Sequence, residues 1–279
     1  MESILVAGRI GLSIIISEET GLANLNLSAT LEVAIDVVRD ASRIAKNEFH
    51  HPQEIHFKNG GEPVTQTDIL VDQQIISTLS DSFPQHGFIS EESDPRNDGA
   101  EYVWLLDPID GTKQFSRGVP LYSISLALRR DSEIVLGIVY VVETGELFTA
   151  IAGQGAWLNR EAISCSSQHN PADCVICVDL PGRLAADDVL SEAIANVREM
   201  METCARFRVL GSSAMALGYC AGGGFDVYLN LGRNAKIWDI AAGQIIVQEA
   251  GGRFTTTKKG NLIAGNESIH DAMIDLLDL

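Results

Sequence analysis

Apolar positions change period several times along the chain, and the changes mark its elements. Leu31, Ile35, Val38, Ala45 and Phe49 recur at helical spacing and predict a helix over about 29–49, capped by Asn26 or Ser28. His50-His51-Pro52 ends it, with both histidines where a helix C-terminus favours positive charge. Residues 56–65, HFKNGGEPVT, read as a polar loop, and a second helix follows over about 67–82, stopping before Pro84. The texture then turns to strands. Residues 87–90 lead into Glu91-Glu92 and residues 102–106 into Asp107. Runs at 121–129, 134–142, 146–151 and 155–159 follow with short turns, which predicts an antiparallel meander. Past about residue 165, strands at 173–179, 206–210, 225–230 and 261–265 alternate with helices at 184–204, 212–221, 238–250 and 267–279. The fold class read from this pattern is α/β, with an α+β first half built on an antiparallel sheet and an α/β second half. Gly222-Gly223-Gly224 reads as a helix C-cap and loop, since it lacks the lysine and spacing of a P-loop.

The chain of 279 residues suffices for one large core or two sub-domains sharing an interface. The expected division is an extension over residues 1–27, one half over 28–165 and a second over 166–279, joined by a linker too short for freely moving domains. Residues 3–16, SILVAGRIGLSIII, are apolar but interrupted by Arg9 and too short to span a bilayer. Glu2 stands where a secretory signal carries positive charge, so this segment predicts an added strand or a packing arm.

Charge narrows the partners. The 38 acidic residues outnumber 20 basic ones, for a net charge of −18. Such a surface repels nucleic acid and anionic membrane, and neither is an expected partner. It also repels a small phosphorylated metabolite, so an anion site needs local positive charge, which bound metal can supply. Five cysteines, at 165, 174, 177, 204 and 220, suit free thiols in a reducing cytoplasm. Cys174 and Cys177 match C-x-x-C without a second pair, and the run CVICVD reads as a strand that points the two sulfurs to opposite faces.

Four segments place acids at a strand end or a helix start: Glu91 and Glu92 in FISEES, Asp107 and Asp110 in WLLDPIDGT, Asp239 in KIWDIAAG and Asp68 in PVTQTDILVD. A lone acid at a helix N-terminus reads first as a cap. Asp107 and Asp110 resist that reading. A tight turn around Pro108 brings them together, and two converging carboxylates repel unless a cation lies between them. Mg²⁺ favours oxygen ligands, and the Ile109 carbonyl can add a neutral one. Gly111 and Thr112 then open a short helix whose N–H groups can receive a phosphate oxygen.

DPIDGTKQF, preceded by SEES and followed by WDIAAGQIIVQEAGG, resembles the inositol monophosphatase family of magnesium-dependent, lithium-sensitive phosphatases. The resemblance covers about residues 29–279. It implies a layered αβαβα sandwich, a homodimer, and two or three Mg²⁺ ions per subunit. Carried over position by position, it implies that Glu91, Asp107 and the Ile109 carbonyl hold a first ion. Asp107, Asp110 and Asp239 would hold a second, with Glu92 helping a third through water. Asp68 and Thr112 resemble the pair that orients the attacking water, which Glu91 helps deprotonate, and Gly111 and Thr112 would hold phosphate. Lys58 resembles the basic residue of a loop over the site. Gly211, Ser212 and Ser213 resemble the segment lining the organic part of the substrate. Asn230 takes the place of a glutamate typical of inositol-specific members, and Lys236 and Arg233 read either as partners of an anionic substrate group or as part of a solvated loop. The first half becomes the expected metal-binding half and the second the substrate side. The implied activity is hydrolysis of an inositol monophosphate or sugar phosphate by metal-activated water. A 3′(2′),5′-bisphosphate nucleotidase and a histidinol-phosphatase are alternatives within the family. A non-catalytic interaction protein keeping the fold is the alternative of another class.

Overall fold

The structure is a computed structural model describing residues 5–7, 13–15, 25–51, 53–58 and 62–279. Most of the expected N-terminal extension, including the greater part of 3–16, lies outside the described residues. Within it, Leu5–Ala7 and Ser13–Ile15 pair as short antiparallel strands. Among the described residues there are seven α-helices: α1 (Leu27–Glu48), α2 (Gln66–Ser82), α3 (Thr112–Phe115), α4 (Asp187–Thr203), α5 (Ser213–Ala221), α6 (Ile237–Glu249) and α7 (Glu267–Leu277). None is long and apolar enough to cross a membrane.

The strand-rich stretch forms one seven-stranded sheet. Its order runs from Glu161–Ile163 through Gly155–Leu158, Glu146–Ile151, Glu133–Val141, Ser123–Arg130 and Tyr102–Asp110 to Gly87–Ser90. All neighbours are antiparallel except the last pair, which is parallel. The expected meander is therefore present. The second sheet has the order Arg206–Arg208, Val175–Asp179, Val227–Asn230, Leu262–Gly265 and Arg253–Thr256. Its first three strands are parallel and its last two antiparallel, so it is mixed. The strand Arg253–Thr256 was not expected. It is half-exposed, shows no clean alternation, and exists by pairing with Leu262–Gly265. Residues 56–65 are likewise more than a loop, since Ile55–Phe57 and Pro63–Thr65 form a two-stranded ladder.

Strand alternation builds the layers. On Ser123–Arg130, Ile124, Leu126 and Leu128 face α1 and α2, in a core with Val38, Ile75, Leu79 and Trp104. Ala127 faces the other way, toward α5 and α6. These two helices lie between the sheets, packing Met215, Leu217, Ile245 and Val247 against Val103, Val139 and Phe148 of one sheet and Cys177 and Tyr228 of the other. A helix buried on all sides is apolar all round, as the sequence SAMALGYCA of α5 is. Helices α4 and α7 cover the far face of the second sheet through Met200, Ile269 and Met273. The result is the αβαβα sandwich. Cys174 and Cys177 enter different cores, as the strand reading requires.

One close approach sets the height of α6. A Cβ on Gly137 would lie 2.5 Å from Ile245 Cγ2 and 2.7 Å from the Ala242 carbonyl oxygen. Only glycine lets α6 sit this near the sheet, and the N-terminal turn of α6 carries Asp239.

Candidate active site

The parallel strands Gly87–Ser90 and Tyr102–Asp110 pair Ser90 with Leu106, so Glu91 emerges beside Asp107. Glu91 N–H donates to the Leu106 carbonyl at 3.1 Å, which fixes that exit. The strand expected to end before Asp107 instead runs through Asp110. Asp107 pairs with Ser125 and Asp110 with Ser123, leaving two residues opposite Ile124 alone. This is a β-bulge rather than the expected turn, and Pro108 explains it, because it has no N–H for the ladder. Within the bulge, Asp107 Oδ1 accepts the Ile109 N–H at 3.0 Å. The third acid arrives from the middle layer: Asp239 sits in the first turn of α6 and accepts the Lys236 N–H at 2.8 Å. Oxygens of Glu91, Asp107 and Asp239 all lie within 4.8 Å of one another.

Asp107 is 3% exposed and Asp110 8%. Burial, then the charges of Glu91, Asp110 and Asp239, hold the Asp107 carboxyl well above the usual range. Burial and Asp239 push Asp110 up to about 8 against its hydrogen bonds. Burial, reinforced by Glu91, pushes Asp239 up to about 7. Carboxylates gathered this closely form an oxygen-rich donor set that fits a hard divalent ion. The cation present stands at the rim. Lys58 Nζ lies 2.7 Å from both Glu91 Oε1 and Glu92 Oε1. Burial opposes the charge of Lys58, but the two glutamates hold its pKa above the ordinary lysine value. Burial still pushes Glu92 up to about 7 despite Lys58.

A second group adjoins the cluster. Thr112 Oγ lies 3.0 Å from Asp68 Oδ1 and 3.0 Å from the Ile109 carbonyl oxygen. One hydroxyl proton serves one of these acceptors at a time. Asp68 is oriented by a capping box at the start of α2, its Oδ2 accepting the Thr65 N–H at 2.9 Å and the Thr65 hydroxyl. Burial raises the Asp68 carboxyl despite these donors. Gly111, with φ of 103°, precedes α3, and a Cβ there would meet the Leu121 carbonyl oxygen at 2.7 Å. The first N–H groups of α3 have no intrahelical acceptor.

Asp110 adjoins the three-acid cluster and ties it to α5. Its Oδ2 accepts the Ser212 hydroxyl and the Ala214 N–H, both at 2.7 Å. Ser212 N-caps α5, and Gly211 precedes it where Gln114 Nε2 donates to the Leu210 carbonyl at 2.8 Å. Ser213 Oγ donates to Asp179 Oδ2 at 3.1 Å, and Tyr228 OH donates to the same oxygen at 2.7 Å. Asn230 stands in register with Asp179 on the neighbouring parallel strand, and its Oδ1 accepts the Gly232 N–H. Lys236 is exposed. Arg233 departs from expectation: its guanidinium is held by Glu192 of α4 at 2.6 Å and by Asn261 at 3.2 Å, so its donor fork is already engaged.

Several contributors escaped the sequence reading. Thr65 was legible in principle, since T-x-x-D before an apolar run is a capping signal. Asp179 ends a parallel strand, the end at which open α/β sheets bind ligands. Tyr228 and the pair Asp72–Ser90 carried no local signal, because their partners lie far away in the chain.

Comparison with known proteins finds similarity along most of the chain. The description "Inositol monophosphatase family" matches residues 26–274. The inositol-1-monophosphatase of Mesorhizobium japonicum is 33% identical over 259 residues, covering 88% of this chain and 95% of the relative. The Nus factor SuhB of Escherichia coli K12 is 32% identical over 254 residues, covering 88% and 94%. Among solved structures, the extragenic suppressor protein suhB of Bartonella henselae superposes with a TM-score of 0.84 at 31% identity, over 89% of this chain and 98% of that one. The Thermotoga maritima IMPase gives a TM-score of 0.80 at 28% identity, over 90% and 97%.

Proposed function

The chain belongs to the inositol monophosphatase family, and from that premise we propose that it is a Mg²⁺-dependent phosphomonoesterase acting on a small phosphorylated metabolite. The observation that carries the reading is the convergence of Glu91, Asp107 and Asp239 beside the Asp68–Thr112 pair. In this reading Glu91, Asp107 and the Ile109 carbonyl hold one ion. Asp107, Asp110 and Asp239 hold a second, and Glu92 supports a third through water. Mg²⁺ bound there would acidify the attacking water, neutralise phosphate oxygens and steady the leaving ester oxygen.

The remaining work falls to the chain itself. Thr112 donates its hydroxyl proton to Asp68, which leaves the Thr112 oxygen lone pairs free to accept from a water and aim it. Glu91 is the acceptor for that water's proton. The N–H groups of Gly111 and Thr112 receive phosphate oxygens at the opening turn of α3. Were cations to occupy the oxygens of Glu91 and Glu92, Lys58 would be released from them and its ammonium would be free for the phosphate.

Gly211, Ser212, Ser213, Asn230 and Lys236 line the organic part of the substrate, with Asp179 and Tyr228 behind Ser213. Hydroxyls, an amide and a carboxylate favour the hydroxyls of an inositol or sugar monophosphate. The engagement of Arg233 with Glu192 weakens the case for a second phosphate, and so for a 3′(2′),5′-bisphosphate nucleotidase. A histidinol-phosphatase is the nearer alternative, since Asp179 suits an ammonium group. We assign residues 28–165 to the metal side and 166–279 to the substrate side. We place the protein in the cytoplasm as a homodimer, with Li⁺ competing against Mg²⁺.

Relatives named Nus factor SuhB motivate a second reading, a non-catalytic interaction protein serving nucleic-acid machinery. The complete carboxylate set supports turnover instead, and the net charge of −18 disfavours direct nucleic-acid contact. The test is release of inorganic phosphate, with and without Mg²⁺, from inositol 1-phosphate, fructose 1,6-bisphosphate, adenosine 3′,5′-bisphosphate and histidinol phosphate. Mg²⁺-stimulated release from inositol 1-phosphate or the sugar phosphate is expected. No stimulated release from any of the four would refute the enzyme.

A further inference from the structure

Asp72 is a further carboxylate near the site, and none of the roles above uses it. It lies one turn after Asp68 on α2, on the same buried face, and is 2% exposed. Its Oδ1 accepts the hydroxyl of Ser90, itself buried, and the Ser93 hydroxyl lies beside the same carboxylate. Ser90 Oγ also lies 3.3 Å from the Leu106 carbonyl oxygen. That oxygen accepts the Glu91 N–H at 3.1 Å, and Leu106 directly precedes Asp107. Asp72 and Ser90 thus stand where two parallel strands hand over to the acids they present. Burying a carboxylate against hydroxyl donors is unfavourable, and an apolar pair of similar shape would hold the strands without that cost.

We infer that Asp72 and Ser90 are positioning residues, which lock Glu91 and Asp107 to α2 and thereby set the spacing of the cation-binding oxygens. Because α2 also carries Asp68, the same lock keeps the water-orienting pair in register with the cluster. The inference rests on the metal-site reading above. It assigns the effect to hydrogen-bond geometry rather than to the charge of Asp72. Partners one step behind metal ligands typically alter metal affinity by 10–100-fold when removed.

The experiment titrates the purified full chain with Mn²⁺ and follows the free-ion electron paramagnetic resonance signal, so it needs no turnover. Ser90→Ala and Asp72→Ala are expected to weaken Mn²⁺ binding about 10–100-fold. Asp72→Asn keeps an acceptor for Ser90 and should stay within about threefold of wild type, on the same scale. Tyr219→Phe, which breaks a hydrogen bond to Glu146 elsewhere in the sandwich, is the control for general loosening and should leave Mn²⁺ affinity unchanged. If Asp72→Ala fails to fold, Ser90→Ala decides the matter. Wild-type affinity in Ser90→Ala overturns the inference, as does an Asp72→Asn protein as impaired as Asp72→Ala. A wild-type chain that binds no Mn²⁺ overturns the metal site and this inference together. Normal wild-type binding with unaffected variants overturns this inference alone.

Discussion

Replacing Asp107 with asparagine should make the protein both more stable and inactive, and the structure sets the scale. Asp107 is almost fully buried, and its oxygens lie within 4.8 Å of those of Glu91 and Asp239. At an effective dielectric near 20, one such pair of charges repels by about 3 kcal/mol. Asparagine keeps the shape and the acceptor for the Ile109 N–H while removing the charge. In EDTA at pH 8 the variant should gain about 2–3 kcal/mol, which for a chain of this size raises Tm by about 5–10 °C. The sign depends on pH. A carboxyl whose folded pKa is raised carries no penalty below the unfolded pKa of about 4, and the penalty grows as pH climbs toward the folded value. The advantage should therefore shrink toward pH 5. Saturating Mg²⁺ should close the gap, because an ion at one hundred times its Kd adds about 2.7 kcal/mol to the wild type and little to the variant. Phosphate release should fall on the order of 10³-fold. Thermal melts with and without Mg²⁺ at pH 5 and 8 check all of this. An Asp107→Asn protein less stable than wild type in EDTA at pH 8, or one stabilised equally by Mg²⁺, would refute the reasoning.

The wild-type protein without metal should lose stability from about pH 5 to pH 8. Asp110 at about 8 and Asp239 and Glu92 at about 7 bind protons in the folded state that the unfolded chain has released, and a flat Tm profile in EDTA would contradict this. Thr112→Ala should lower kcat by about 10²–10⁴-fold while shifting Tm only slightly, because it removes an aiming hydroxyl and leaves the Asp68 capping box intact. Lys58→Gln should lower the Mg²⁺ concentration needed for half-maximal stabilisation, since the ammonium competes for Glu91 and Glu92. Calorimetric titration showing weaker Mg²⁺ binding in that variant would count against the competition.

Much of the architecture could be read from local pattern. The helical spacing of Leu31, Ile35 and Val38, the close-set strands from 121 to 159 and the later alternation of strand and helix each became the expected elements, with ends shifted by a few residues. The misread segments were those whose structure depends on a distant partner. Arg253–Thr256 is a strand through its pairing with Leu262–Gly265, and the bulge at Pro108 exists through the register imposed by Ser123 and Ser125.

The clustered acids were visible as residues, because each sits in a short motif ending a strand or opening a helix. Hydrophobic periodicity acts between neighbours in the chain, so it delivered the elements, while the layered sandwich was implied by the family resemblance. Distance, direction and partnership were settled by packing. Asp110 points at α5, Lys58 clamps two glutamates, Arg233 is spent on Glu192, and Asp72 meets Ser90 eighteen positions away in the chain. Each of these depends on where separate elements meet once the cores have closed, and no local pattern encodes the angle at which a strand end faces a helix from another layer.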